Sequence, residues 1–264
     1  MRKNGLLSLV YHTIFIAFIL APLVVVVLVS FTGKGYISLP TEGFSLRWFR
    51  AIGGATELVN AFWLSLWLGL ASATVAVVLA VPAALALVRY RFAGRGAIAA
   101  FFMSPLMIPH VVLGVAFLRF FTTIGVSGSF VWLSLTHVVV VMPYALRLVL
   151  ASATGLDRDA EKAALSLGAS RMTAFRRIVL PLILPGVVGG WMLAFIQSFD
   201  ELTMTVFVAT PGTTTLPVAM YNQIAQTIDP LVASVSTVLI AGTVVLMVLL
   251  DRLVGLDRVL IGKG

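Results

Sequence analysis

The sequence predicts an all-α membrane protein with six transmembrane helices and both termini in the cytoplasm. Three observations carry that prediction: the composition, the spacing of charge-free windows, and the placement of the basic residues. Hydrophobic residues make up 60% of the chain and charged ones 11%, with a mean hydropathy of +1.09. A soluble globular domain has about a quarter of its residues charged, so this composition excludes one. A hydrocarbon core about 30 Å thick takes roughly 20 apolar residues per helix. Such windows lie at about 6–30, 60–89, 96–119, 129–149, 182–208 and 230–250, and no internal repeat separates them. Residues 1–264 are therefore expected to form a single transmembrane domain.

The first window follows Met1-Arg2-Lys3 and runs from Leu6 to Ser30. It is longer than the apolar region of a signal peptide and closes on no clear cleavage site, so it reads as a retained membrane helix. The second, Asn60 to Tyr90, is interrupted only by Arg89. The third, Gly96 to Leu118, contains SPLMIPH. Pro105 and Pro109 withhold backbone N–H groups and leave carbonyls free, which predicts a kink facing protein or a cavity rather than lipid. The fourth and sixth are Ser129 to Leu146 and Pro230 to Leu250. The fifth, Leu182 to Phe199, extends toward Val208 through the polar SFDELT. Between windows, Phe31 to Val59 carries SLRWF, in which Trp48 suits a membrane interface. Ala209 to Asp229 opens on a Pro211-Gly212 turn and continues as a short helix from Pro217.

With the amino terminus inside, Arg2, Lys3, Arg89, Arg91, Arg95, Arg147, Arg158, Lys162, Arg171, Arg176, Arg177, Arg252, Arg258 and Lys263 are cytoplasmic. Lys34, Arg47, Arg50 and Arg119 remain outside, and fourteen against four is the bias that fixes orientation. The formal charge of +8 is therefore a matter of topology. Its residues form no basic block with aromatic interleaving, so nucleic acid is not a partner. The chain has no cysteine, which excludes disulfides, thiolate metal sites and a cysteine nucleophile. The nearest approach to a P-loop, Gly262-Lys263-Gly264, lacks the hydroxyl residue. No enzymatic site, metal or resident cofactor is expected.

One long charged segment remains, LDRDAEKAALSLGASRMTAFRRIVLPLILP from Leu156 to Pro185, within a cytoplasmic loop of about 150–181. Ala160, Ala163, Ala164 and Leu167 share one small, flat helical face, and Gly168 permits a tight turn after it. Phe175, Ile178, Val179 and Leu182 then form an apolar stripe that suits a membrane surface. The spacing Ala163-Ala164-x3-Gly168-x9-Ile178-x-Leu180-Pro181 resembles the EAA loop of permease subunits of ABC importers. The family's usual glutamate position directly before the alanines is occupied here by Lys162, with Glu161 one residue earlier. SFDELTMTVFVATPGTTTLPVAMYNQI likewise resembles the fifth span and external loop of the spermidine/putrescine permeases.

The resemblance implies a type I importer fold in a bacterial inner membrane, with this chain forming half of the pathway. It implies four kinds of neighbour: a second permease subunit, a paralogue of this one; two ATPase subunits that use ATP and Mg; an external substrate-binding protein; and lipid. The coupling residues it implies are Glu161, Lys162, Ala163, Ala164, Leu167 and Gly168. The resemblance implies a polyamine or another small organic cation or zwitterion as the solute; in polyamine-transporting members the position matching His110 tends to be acidic, which makes spermidine less expected here than the overall resemblance suggests.

From the residues themselves, polar groups at membrane depth mark pathway candidates. These are His110, Gln197, Asp200 and Glu201. Asp200 has two readings, a helix end in interfacial water or a fixed charge beside the pathway. Two rival functions stand beside import driven by ATP. A secondary transporter predicts an inverted repeat with broken helices, and a structural membrane subunit predicts no solute flux. Because no native cysteine interferes, the topology is directly testable. A cysteine at Ser170 should be labelled only from the cytoplasmic side and one at Thr214 only from outside; labelling of both from one side excludes six crossings.

Overall fold

The computed structural model describes residues 5–37 and 43–254. Arg2, Lys3, Pro40, Arg258 and the closing Gly262-Lys263-Gly264 lie outside the described residues. Among those described, the regular elements are helices, with one isolated antiparallel bridge between Thr32 and Phe44. In chain order the helices are α1 (Leu6–Ser30), α2 (Arg47–Ile52), α3 (Thr56–Arg89), α4 (Arg95–Met103), α5 (His110–Ile124) and α6 (Phe130–Thr154). There follow α7 (Asp159–Ser166), α8 (Arg171–Ala174), α9 (Leu180–Phe199), α10 (Thr205–Val208), α11 (Leu216–Gln226) and α12 (Pro230–Val254). Among the described residues, four stretches are long and apolar enough to cross a membrane: Leu7–Ser30, Thr56–Arg89, Phe130–Thr154 and Arg171–Phe199. The bent pair Arg95–Leu106 and His110–Ile124 adds a fifth if it is one span, and Pro230–Val245 is a shorter apolar helix.

The chain falls into two compact units. One comprises the described residues of Met1–Asn60 and Ala219–Arg252. Within it α1 leaves most of its side chains uncovered, Phe18 at 77% exposure among them, as suits a helix whose solvent is lipid. Its end is tied down: Ser234 of α12 donates from Oγ to the Ser30 carbonyl at 3.1 Å. Beyond it Phe31 stands 4.9 Å from both Phe44 and Phe49. The Trp48 indole N–H donates to the Lys34 carbonyl (3.1 Å), and the Arg47 guanidinium donates to Gly33 (2.9 Å) while lying over the Trp48 ring. The aromatic residues of this segment thus close a loop on itself.

The other unit comprises Ala61–Val218 with any described residues of Leu253–Gly264. Its core is built by α3, α6 and α9. On α3 the residues Ala73, Ala76, Ala80 and Ala84 are all fully buried and recur at three- and four-residue spacing. Lipid offers no hydrophobic drive for one helix to leave it for another, so close van der Waals packing of small residues has to hold such helices together. Between α6 and α9 the approach is backbone to backbone: a β-carbon at Gly186 would lie 2.6 Å from the Leu148 carbonyl oxygen.

The structure differs from the sequence expectation in three places. The third window is not a mildly kinked helix, because α4 and α5 meet at 97°. Pro105 opens a 3-10 turn at Ser104–Leu106, and Pro109 caps α5 in an extended conformation, so neither side can continue the other. The fifth window does not run to Val208: α9 stops at Phe199, and α10 is a separate turn of helix. Finally, Arg171–Phe199 is one continuous helix rather than a surface helix followed by a span. Pro181 has no N–H for the Arg177 carbonyl and its ring would strike that oxygen; a π-helical turn at Phe175–Val179 absorbs the conflict. Val179 is fully buried as a result, and Phe175 packs on the core instead of facing a membrane surface. The charged connection accordingly contracts to the stretch between Thr154 and Arg171.

Gly186→Val should lower the unfolding temperature in detergent, corresponding to about 1–3 kcal/mol of overpacking. Gly189→Ala, whose new carbon would meet only Leu148 Cδ1 at 3.6 Å, should leave it unchanged.

Candidate functional site

Where α9 ends, no glycine or proline breaks it. The side chain of Glu201 does so, taking the Met204 N–H on Oε1 at 2.7 Å. Its second oxygen, Oε2, shares a 2.7 Å hydrogen bond with His110 Nδ1, at the first residue of α5. Glu201 is only 7% exposed. Both carboxylate oxygens are therefore engaged, as a buried charge requires. Pro109 places His110 there by ending the preceding turn and starting α5 at that residue. Leu113 and Phe117 of α5 then pack against Met204 and Val208.

A second histidine fixes both sides of the break. His137 of α6 is wholly buried; its Nδ1 lies 2.8 Å from Ser198 Oγ and its Nε2 3.1 Å from Thr205 Oγ1. A neutral imidazole has one donor and one acceptor, and a hydroxyl can serve either, so the two bonds are satisfied in both tautomers. Ser198 precedes the break and Thr205 follows it, so His137 holds the two ends at a set distance while Glu201 shapes the turn between them. Asp200, the other carboxylate of SFDELT, is exposed at the helix end, and Gln197 is half-buried in the last turn of α9. The structure thus gathers His110 and Glu201 into one bonded pair, with Asp200 beside it in the chain but in a different environment.

The charged connection forms the second candidate site. In α7, Ala163 and Lys162 are exposed, Ala164 is half-buried, and Leu167, just past the helix, is 89% exposed. Lys162 Nζ bonds Asp159 Oδ1 at 2.8 Å, and that ammonium holds the Asp159 carboxyl below the usual carboxylate range. Gly168 adopts φ +86°, and the N–H groups of Gly168 and Ala169 bond the carbonyls of Leu165 and Ala164, both at 3.0 Å. This is the Schellman ending, and its left-handed residue explains why glycine stands there. Ser170 then starts the next helix by accepting the Thr173 N–H at 3.1 Å. Glu161 faces inward, where Arg89 at the end of α3 grips it: Nη1 donates to Oε1 at 2.9 Å and Nη2 lies 2.7 Å from Oε2.

Sequence reading missed His137, Ser198, Thr205 and the role of Arg89. Two signals were present: His137 is a polar residue inside an apolar window, as His110 is, and Arg89 is the one charge in the second window. Nothing local pairs them with their partners.

A membrane-embedded transport subunit is the class of protein that these apolar helices, the broken span and the glycine-ended knob define. The chain belongs to the family of binding-protein-dependent transport system inner membrane components, whose description matches residues 76–256. It is 32% identical over 247 residues to the spermidine/putrescine transport system permease protein PotC of Haemophilus influenzae, covering 94% of each chain. To the putrescine transport system permease protein PotI of Escherichia coli it is 31% identical, covering 85% of this chain and 82% of that one. A Salmonella paratyphi A permease protein named for 2-aminoethylphosphonate transport, PhnV, is 32% identical over 93% of both chains. Among solved structures, a bacterial ABC transporter involved in alginate import matches with a TM-score of 0.79 at 13% identity, covering 96% of this chain and 98% of that one. The MetNI methionine ABC transporter matches with a TM-score of 0.60 at 21% identity, covering 80% and 99%. The fold is that of type I ABC importer permeases, and the protein is a multi-pass component of the inner membrane.

The two carboxylates should respond differently to neutralisation. Glu201→Ala strands His110 and the Met204 N–H and should cost about 1–3 kcal/mol in thermal or denaturant unfolding. Asp200→Asn should leave unfolding unchanged; equal effects would mean that burial does not distinguish them.

Proposed function

We propose that this chain is one of two permease subunits of an ATP-driven importer whose solute is a small organic amine. The observation that carries the solute class is the pair of adjacent carboxylates at the break of a span. Glu201 is committed to His110 and the Met204 N–H, whereas Asp200 is exposed. One uncommitted carboxylate at membrane depth attracts a cationic group, and in a partly desolvated place that attraction is screened less than in water. The three relatives' names agree on chemistry: spermidine, putrescine and 2-aminoethylphosphonate all carry an amino group. His110 already occupies Glu201, so a single ammonium on the solute is favoured over the several of a long polyamine. Gln197, half-buried in the last turn of α9, supplies a further hydrogen-bonding group.

In this reading the chain crosses the membrane six times as one domain, and α7 with Ala163, Ala164, Leu167 and Gly168 docks on an ATPase subunit. Glycine and alanines on that surface let the partner come close, and Lys162 presents a positive charge where the family usually has a negative one. The chain has no nucleotide-binding motif, so ATP and Mg belong to the partner. A paralogous permease completes the pathway and an external binding protein delivers the solute.

The test is uptake into proteoliposomes containing this chain with its partner permease, ATPase and binding protein, using labelled putrescine, spermidine and 2-aminoethylphosphonate. ATP-dependent uptake of at least one is expected. Asp200→Asn should cut it by roughly tenfold, about 1.4 kcal/mol, and His110→Asp should shift preference toward the polyamines. Normal uptake by Asp200→Asn removes the charge argument for the solute.

A further inference from the structure

Helix α7 has eight residues and buries none of them fully. Glu161 and Ala164 are its only half-buried positions, the other six being exposed. A helix this short is not stable alone in water, and an alanine methyl gives it little to hold with. It lies against α8 and the π-helical turn at Phe175–Val179, and its tie to α3 is Glu161, which Arg89, 72 residues earlier in the chain, holds by one hydrogen bond of 2.9 Å and a second N–O contact of 2.7 Å. Both side chains are 15% exposed, so water screens the attraction less than at an open surface. By contrast Lys162 pairs with Asp159 inside α7, 66% and 79% exposed, and ties that helix to nothing else.

Arg89 is the last residue of α3. Further back along the same helix, Leu68 packs with Met204 and Val140, and Phe62 lies 6.1 Å from Phe199. Leu68 and Arg89 are about 32 Å apart at 1.5 Å per residue. One continuous helix therefore reaches from the ion pair at α7 to the two residues that bracket the Glu201 turn, Phe199 before it and Met204 after it. Met204 is the residue whose N–H Glu201 holds.

We propose that Arg89 is a positioning residue for energy coupling. The Arg89–Glu161 pair makes α7 and α3 move as one body, so that displacement of α7 by a docked ATPase is carried along α3 to the Glu201 turn. This rests on the reading of α7 as the ATPase-docking segment. A pair that merely stabilised the fold would affect assembly and unfolding, whereas a pair that transmits motion affects the number of solutes moved per ATP.

The experiment measures ATP hydrolysis and solute uptake together in proteoliposomes holding the complete importer, with the wild type, Arg89→Gln, Glu161→Gln, and the double reversal Arg89→Glu with Glu161→Arg. Expected are ATPase subunits that still co-purify with both single variants and uptake per ATP lowered by roughly two- to thirtyfold, the range reached by residues along a coupling route. The double reversal should recover most of the ratio. An unchanged ratio in Glu161→Gln overturns the proposal, and so does loss of the ATPase subunits from that variant, which would make the pair a docking support only. If the double reversal does not assemble, the isosteric Glu161→Gln decides; if it assembles and recovers nothing, the pair is not the link. Absence of ATP-dependent uptake in the wild type is a separate result, and it refutes the importer reading instead.

Discussion

Inside a bilayer no water is available to a backbone N–H or C=O, so each must be satisfied by the protein itself. Long helices meet that demand by construction. The informative places are those where a helix stops among buried residues, because a side chain has to take over. At Phe199 the replacement is Glu201, which captures the Met204 N–H, with His137 bracing Ser198 and Thr205 on either side. The same demand accounts for hydroxyls folded back onto their own helices, such as Thr74 on the Leu70 carbonyl, Ser134 on Phe130 and Thr154 on Leu150.

Once a carboxylate is used to end a helix, it becomes a chemical resource as well. Glu201 needs a second partner for its remaining oxygen, and His110 provides it because Pro109 starts α5 at that residue. Asp200, one residue away, escapes this arrangement because the helix end turns it outward. Two neighbouring acids thereby come to sit in separate environments, one buried and bonded and one exposed. The bend between α4 and α5 is part of the same construction, since a straight third span would have no helix start at His110.

Packing among the helices relies on small residues, as at Ala73, Ala76, Ala80 and Ala84 of α3 and at Gly186 of α9. Interfaces of this kind are close and stiff, and they suit parts that must move together. The charged connection is built in the opposite way, from a short, exposed helix with one ionic attachment to α3. Stiff spans joined to a lightly attached knob are what a subunit needs if a force applied at its surface is to reach the membrane.

The sequence by itself determined the class of the protein. Composition and charge-free windows dictated long helices, proline positions located the break in the third window, and the spacing around Ala163, Ala164 and Gly168 located the exposed knob, down to the residue that takes positive φ. These features are local: hydropathy, missing N–H groups and glycine's backbone freedom act within a few residues. Only the tertiary structure decided that α9 ends at Phe199, that Glu201 rather than Asp200 is buried, that His137 is a brace, and that Glu161 belongs to Arg89. No breaker residue marks the end of α9; its cause is a side chain bonded to groups on α5 and to the following turn. The partners His110 and Glu201 are 91 residues apart, and Arg89 and Glu161 72. Periodicity along one segment carries no information about which distant segment will pack beside it, and it is that packing which gives a buried polar group its partner.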